Sequence, residues 1–240
     1  MFKLDSPLMN FLNKVADVMI LNFLVILGCI PIFTAGASLT AGYYVAFKMV
    51  KNEAGYITKG YFKSFKNNFK QSTIMWLIML VVAFVLYADY KIMSESGIEF
   101  GQWMQIAIMA AAIIIIIGIV FVFPMQARFS NTVKNTIKNA YLMGLSHLPS
   151  AVLIIASFFV PVVIFYIIPQ SLPALVLLAV GLLIYLQSML FLKIFRPYEE
   201  RILAREAEEA KAQEDSEDVD SGIFAGSDAI EEAMKEETKK

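Results

Sequence analysis

Trp103–Met125, WMQIAIMAAAIIIIIGIVFVFPM, decides the class of fold, because this run carries no charge and holds Ile113–Ile117 unbroken at its centre. As a helix it would rise about 34 Å, more than the ~30 Å hydrocarbon core of a bilayer. Four other apolar stretches surround it: Val15–Phe33, Thr73–Tyr90, Pro149–Ile168 and Leu172–Lys193. Trp76 and the pair Tyr87 and Tyr90 stand near the two ends of Thr73–Tyr90, where amphipathic rings favour the interface. Pro161 lies inside its stretch and predicts a kink, while Pro169 and Pro173 predict a tight link between the last two. The expected fold is all-α, a polytopic transmembrane helical bundle.

Thr34–Val50, TAGASLTAGYYVAFKMV, is the ambiguous element. Its length gives about 25 Å of helix, slightly short of a crossing. Its small residues nevertheless align at helical spacing, with Ser38, Gly42 and Ala46 on one line and Ala37 and Ala41 on the next. Such lines let membrane helices approach closely, so the segment reads as a short span packed on the first. A re-entrant or interfacial helix is the competing reading. The first gives six spans, the second five.

Charge orients the bundle. Residues 1–198 hold fourteen Lys/Arg and six Asp/Glu, whereas residues 199–240 hold six and fifteen, so the net charge of −1 conceals two opposed parts. These are read as a transmembrane domain, 1–198, and an acidic cytoplasmic tail, 199–240. Counted as far as Arg205, six spans with the N-terminus inside place fifteen basic residues in the inner segments and one, Lys91, outside. Five spans move Lys3 and Lys14 outside, giving thirteen against three. Both arrangements obey the positive-inside rule, and both put the C-terminus of a multi-pass cell-membrane protein in the cytoplasm. The outer loop Ala88–Gln102 carries Asp89, Glu95 and Glu99. In the tail, Tyr198–Gln213 pairs Glu with Arg and Lys at helical spacing, Glu214–Gly222 reads as disordered, and Ile223–Lys240 as a marginal helix.

Two inner segments hold the most legible chemistry. In Thr58–Gln71, Lys59, Lys63, Lys66 and Lys70 share one helical face, with Tyr61, Phe62, Phe65 and Phe69 on another arc. That pattern predicts a basic amphipathic helix in the headgroup plane, each Lys adding about 1 kcal/mol of attraction to anionic lipid. Ser130–Tyr141 is a second such helix, with Lys134 and Lys138 beside Asn131, Asn135 and Asn139 and with Val133, Ile137 and Ala140 opposite. Topology determinants and lipid anchors explain both stripes, and a docking surface for a cytoplasmic partner is the sharper reading. No nucleic-acid module surrounds them.

Polar residues within the spans are the other candidates. Asn10, Asn13 and Asp17 fall on one face at the start of the first span, with Lys14 one turn from Asp17 as its expected ion-pair partner. Asn22, Ser157 and Gln187 lie deeper. No ionisable residue sits at the centre of a span, which argues against proton- or ion-coupled transport. Catalytic signatures are missing. His147 has no second His or paired carboxylate near it in sequence, and no phosphate-binding loop occurs, so neither an enzyme nor a cofactor is expected. Ile26-Leu27-Gly28-Cys29 only partly matches a lipoprotein cleavage site, since apolar Ile30–Phe33 follows, and Cys29 reads as a packed small hydrophobe.

Several stretches together resemble the YesL family of small bacterial integral membrane proteins. They are Asp5-Ser6-Pro7-Leu8-Met9 with Phe11–Asp17, Pro31-Ile32 with Gly36-Ala37-Ser38 and Thr40-Ala41, Phe62–Lys66 with Phe69-Lys70-Gln71, and Asn131–Thr136 with Lys138-Asn139-Ala140. The resemblance covers roughly residues 5–200 and leaves out the acidic tail. It implies no catalytic residues. It does imply a setting, because genes of that family often stand beside carbohydrate ABC-transporter and sensor-kinase genes.

Two functions follow as expectations: an accessory or regulatory component of a carbohydrate uptake or sensing system, with a permease or kinase as partner, or a small-solute transporter with a polar path past Asn22, Gln187 and Ser157. The charge distribution makes one testable statement. Tags at either terminus should be accessible only from the cytoplasmic side of intact cells; an N-terminal tag reached only from outside would select five spans.

Overall fold

The computed structural model describes residues 7–95 and 102–237, so Lys3, Asp5, Ser6 and Glu99 lie outside the described residues. The described residues are helical apart from short turns, as expected. The helices are α1 (Pro7–Cys29), α2 (Ala35–Val50), α3 (Ile57–Glu95), α4 (Gln102–Arg128), α5 (Val133–Ser146), α6 (Leu148–Ser157), α7 (Val160–Ile167) and α8 (Leu172–Glu237). Five stretches are long and apolar enough to cross a membrane: Leu8–Cys29, Ile57–Met93, Trp103–Arg128, Leu148–Ile167 and Pro169–Lys211. At 16 residues, α2 falls short of that length. Two compact units result, Met1–Leu192 and Lys193–Lys240.

In the first unit, α2 is the most enclosed helix. Ser38, Gly42, Ala46, Ala37 and Ala41 are all buried, so the small-residue lines do what their spacing predicts. A Cβ at Gly42 would stand 2.9 Å from Val25 Cγ2 and 3.2 Å from Ile184 Cδ1, so only hydrogen fits between α1 and α8 there. On the remaining side α3 runs antiparallel to α2. Gly60 lies beside Val45, Thr40 Oγ1 meets Ser72 Oγ at 2.9 Å, and Trp76 Nε1 donates to Ile32 O at 2.7 Å.

The turn between α2 and α3 is closed by Asn52, at φ 56°, with Glu53 N–H bonded to Lys48 O at 2.9 Å and Asn52 N–H to Met49 O at 3.2 Å. This is the left-handed helix ending that Asn tolerates better than other side-chain-bearing residues. Lys14 Nζ donates to Asn52 Oδ1 at 3.2 Å, which ties the start of α1 to that turn. Asn52 therefore takes the ammonium that the sequence assigned to Asp17.

Three expectations change. Thr58–Gln71 is not a separate interfacial helix, since α3 runs from it into the apolar stretch without a break. Nor do its rings form one lipid-facing arc: Tyr61 is buried against α2, because Ser38 gives its hydroxyl a partner at 2.8 Å, while Phe62 stays exposed. Glu214–Gly222 is helical rather than disordered, as part of α8. A helix already under way adds one hydrogen bond per residue with no new nucleation cost, so an acidic composition alone does not end it.

The kink at Pro161 is present and separates α6 from α7. Proline cannot donate to the carbonyl one turn earlier, at Ser157. The chain tightens there, with Phe158 N–H on Ile155 O at 3.1 Å and Phe159 N–H on Ala156 O at 3.0 Å.

Within the second unit, Arg196 Nε donates to Glu200 Oε1 at 3.0 Å, an i,i+4 pair that begins just before the Tyr198–Gln213 stretch and is exposed enough to contribute little.

Among the described glycines, the tightest fit against another helix's backbone is at Gly181, where a Cβ would lie 2.5 Å from Val18 O and 2.9 Å from Asn22 Cβ. Gly181→Ala gains about 1 kcal/mol of helix propensity. Overpacking against backbone costs about 1–3 kcal/mol, so the clash should prevail. The expected result is a lower Tm in detergent; an unchanged or raised Tm would show that α1 and α8 can separate freely.

Candidate functional site

Two polar assemblies concentrate the chemistry of the first unit, one inside the bundle and one at the end of the α4 apolar run.

The internal assembly is built on Asn22 and Gln187, which are 2% and 1% exposed. Asn22 reads the backbone of α8 from α1: Nδ2 donates to Val176 O at 2.9 Å, and Oδ1 accepts from Gly181 N–H at 3.0 Å. Gln187 joins three helices. Its Oε1 accepts from Tyr43 Oη of α2 at 2.5 Å, and its Nε2 donates to Ser157 Oγ of α6 at 2.8 Å. Ser157 Oγ in turn donates a hydrogen bond to Ile154 O at 2.6 Å. The structure brings Gln187 and Ser157 together, with Tyr43 as the member that sequence reasoning missed. Asn22 stands apart, on the α1–α8 contact. Each carboxamide is met by groups that need what it offers, which is how a polar side chain is tolerated in an apolar interior.

The other predicted polar positions are not gathered into this core. Asn10 and Asn13 are exposed on α1. Asp17 is half-buried at the mouth of a cleft of about 510 Å³ lined also by Tyr56, Ile57, Thr58 and Lys59. Lys59, Lys63, Lys66 and Lys70 on α3, and Lys134 and Lys138 on α5, are all exposed. The α3 helix that carries the first four packs on α2 through buried Tyr61. His147 sits at the α5–α6 junction, its Nδ1 3.2 Å from Met143 O.

The second assembly surrounds Gln126, 5% exposed at the end of α4. Gln126 Nε2 donates to Gln71 Oε1 at 2.6 Å and to Asn68 Oδ1 at 3.2 Å, and its Oε1 accepts from Thr136 Oγ1 at 3.1 Å. Asn68 Nδ2 in turn donates to Ser64 O at 3.0 Å. One carboxamide therefore locks α3, α4 and α5 together. Above it opens a cleft of about 750 Å³, lined by Tyr44, Asn67, Arg128, Asn131, Thr132 and Asn135 among other described residues. Thr132 caps α5 through its side chain, which accepts from Asn135 N–H at 3.5 Å. Sequence reasoning noted these Asn residues only as companions of the lysines. The available signal was the density of Asn and Gln flanking the ends of the α3 and α4 apolar runs.

A bundle with five membrane-length helices, neutral carboxamides at its interior joints and lysines on its exposed surface is a helical membrane protein. Residues 18–90 match the model of DUF624, a protein family of unknown function, and that region takes in most of α1, all of α2 and α3 as far as Tyr90. No curated protein and no solved structure matches the chain.

The Gln187 joint makes a quantitative prediction. Gln187→Leu leaves Tyr43 Oη and Ser157 Oγ without their partner, a loss of about 1–3 kcal/mol for buried polar groups. Double-mutant cycles in membrane helices average about 0.6 kcal/mol for such bonds, so the coupling to Tyr43→Phe should fall near that value, with ~1.7 kcal/mol as its ceiling. Equilibrium unfolding in mixed micelles measures both. Additive single effects would mean that the Tyr43–Gln187 bond holds nothing.

Proposed function

We propose that this protein is a non-catalytic accessory or regulatory component of a carbohydrate ABC uptake or sensing system, seated in the cell membrane with its C-terminus in the cytoplasm. The observation that carries the reading is a division of labour among polar side chains. Asn22, Ser157 and Gln187 are bonded to protein, while six lysines on α3 and α5 stay exposed. Groups that would have to exchange partners with a passing solute are instead engaged in helix contacts, which leaves the cationic surface as the part able to meet another molecule. The partner of choice is the permease of such a system, with a sensor kinase second. The carbohydrate setting rests on the resemblance to the YesL family. A self-sufficient transporter is the weaker reading, since its polar path would run through the bonded Gln187–Ser157 joint.

The test is capture of the tagged full chain from native membranes after mild cross-linking, beside reconstitution of the chain alone in liposomes. A permease should be recovered with the wild type. The quadruple variant Lys59→Gln, Lys63→Gln, Lys66→Gln, Lys70→Gln should recover about tenfold less, the size of effect that loss of rim charges has on association. Sugar flux into liposomes holding this chain alone would sink the proposal.

A further inference from the structure

We infer that the cleft at Asp17 binds a phosphoethanolamine moiety, a primary ammonium joined by a short link to a phosphate. Asp17 takes the ammonium, and Lys14 and Lys59 meet the phosphate. The inference is independent of the partner reading and begins from a carboxylate that the fold leaves unmatched. Asp17 stands within Leu8–Cys29, one of the membrane-length stretches, and is half-buried. Among the described residues no hydrogen bond or ion pair reaches it, and the nearest ammonium in sequence, Lys14, is bonded to Asn52 Oδ1 at 3.2 Å. A carboxylate in a span is costly unless a cation meets it, and here the protein supplies none.

The space beside Asp17 suits a ligand that would. Asp17 lines two clefts, one of about 510 Å³ with Tyr56, Thr58 and Lys59, and one of about 180 Å³ with Lys14 and Asn52. The larger has the volume of a small-ligand pocket. Both lysines are held in place, Lys14 by Asn52 and Lys59 over the Tyr56 ring, 5.6 Å from its centroid. Neither contact exhausts an ammonium, which carries three donors. The site therefore needs only Asp17 to be unpaired.

The signs of these charges define the ligand. A plain cation would meet Asp17 but be repelled by two lysines, and a plain anion would face the reverse. A zwitterion satisfies both signs at once. A primary ammonium also gives Asp17 the charge-assisted N–H bonds that a quaternary one cannot.

Such a moiety has two sources. Lysines beside a membrane span stand at headgroup level, where phosphatidylethanolamine carries it. Free phosphoethanolamine offers the same chemistry from the water side. The experiment places the full chain in nanodiscs of equimolar phosphatidylethanolamine, phosphatidylglycerol and phosphatidylcholine, and reads retained lipid by native mass spectrometry. Calorimetric titration with phosphoethanolamine, with ethanolamine and inorganic phosphate as controls, is made in phosphatidylcholine discs.

Preferential retention of phosphatidylethanolamine that falls about tenfold in Asp17→Asn identifies the lipid headgroup. Saturable phosphoethanolamine binding weakened about tenfold by the same change, without a lipid preference, identifies the soluble ester. A second measurement needs no variant: N-acetylation of the lipid or the ester removes the ammonium charge and should abolish whichever binding is seen. Binding that survives Asp17→Asn or N-acetylation overturns the inference. So does retention of phosphatidylglycerol at or above that of phosphatidylethanolamine with no ester binding, which would show general attraction to the lysines.

Discussion

Enclosure of α2 is the constraint on which the first unit depends. A helix can be covered by neighbours on several sides only if its own side chains let them come close, and Gly42, Ser38, Ala37, Ala41 and Ala46 do so. Two of its large buried side chains, Tyr43 and Phe47, are aromatic. Tyr43 places its ring edge-on to Phe191 with centroids 5.8 Å apart, and Phe191 repeats that geometry with Phe121 at 5.1 Å. A chain of rings thus joins α2, α8 and α4, each in the edge-to-face arrangement that aromatic quadrupoles favour. Removing the small residues would push these helices apart and disengage the rings together.

Hydroxyls complete what the small residues begin. Ser38 Oγ reaches back to Val25 O of α1 at 2.8 Å and forward to Tyr61 Oη of α3 at 2.8 Å, so one small polar atom links three helices. Thr40 Oγ1 bonds Gly36 O of its own helix at 2.9 Å and Ser72 Oγ of α3. With little hydrophobic drive between helices in lipid, contacts of this kind and close packing decide which faces meet. The region matched by DUF624 holds the Ser38 and Thr40 links entire, whereas Gln187, Gln126 and Gly181 themselves lie beyond it.

Much of this was legible in the sequence because lipid imposes simple rules. Apolar runs of bilayer length show as such in Trp103–Met125, the alignment of small residues in Thr34–Val50 marks a packing face, and Pro161 marks a break. Pairings across long separations were not legible. Tyr43 and Gln187 are 144 positions apart, and neither has a periodicity that points to the other. The direction of Tyr61 was misread because its arc of Phe neighbours suggested lipid, and only the position of Ser38 turns that hydroxyl inward. Continuity of α3 was hidden because its composition changes abruptly near Gln71, although composition sets what a helix faces and not where it ends. The Gln126 cleft draws on three separate segments, so no local pattern could announce it.

The joints inside the bundle are neutral, and that choice has a physical consequence. Gln187 offers an acceptor to Tyr43 and a donor to Ser157 at once, a polarity fixed by the amide itself and independent of pH. A Glu in its place could accept from Tyr43, yet it would need to hold a proton to donate to Ser157. Desolvation would favour that protonated form, so the joint would be coupled to pH across whatever range the carboxyl titrated. Asn22 and Gln126 are amides as well, each serving as donor and acceptor in the same contact. A bundle assembled in this way keeps its helix contacts while its lysines and the acidic tail respond to salt and to charged neighbours.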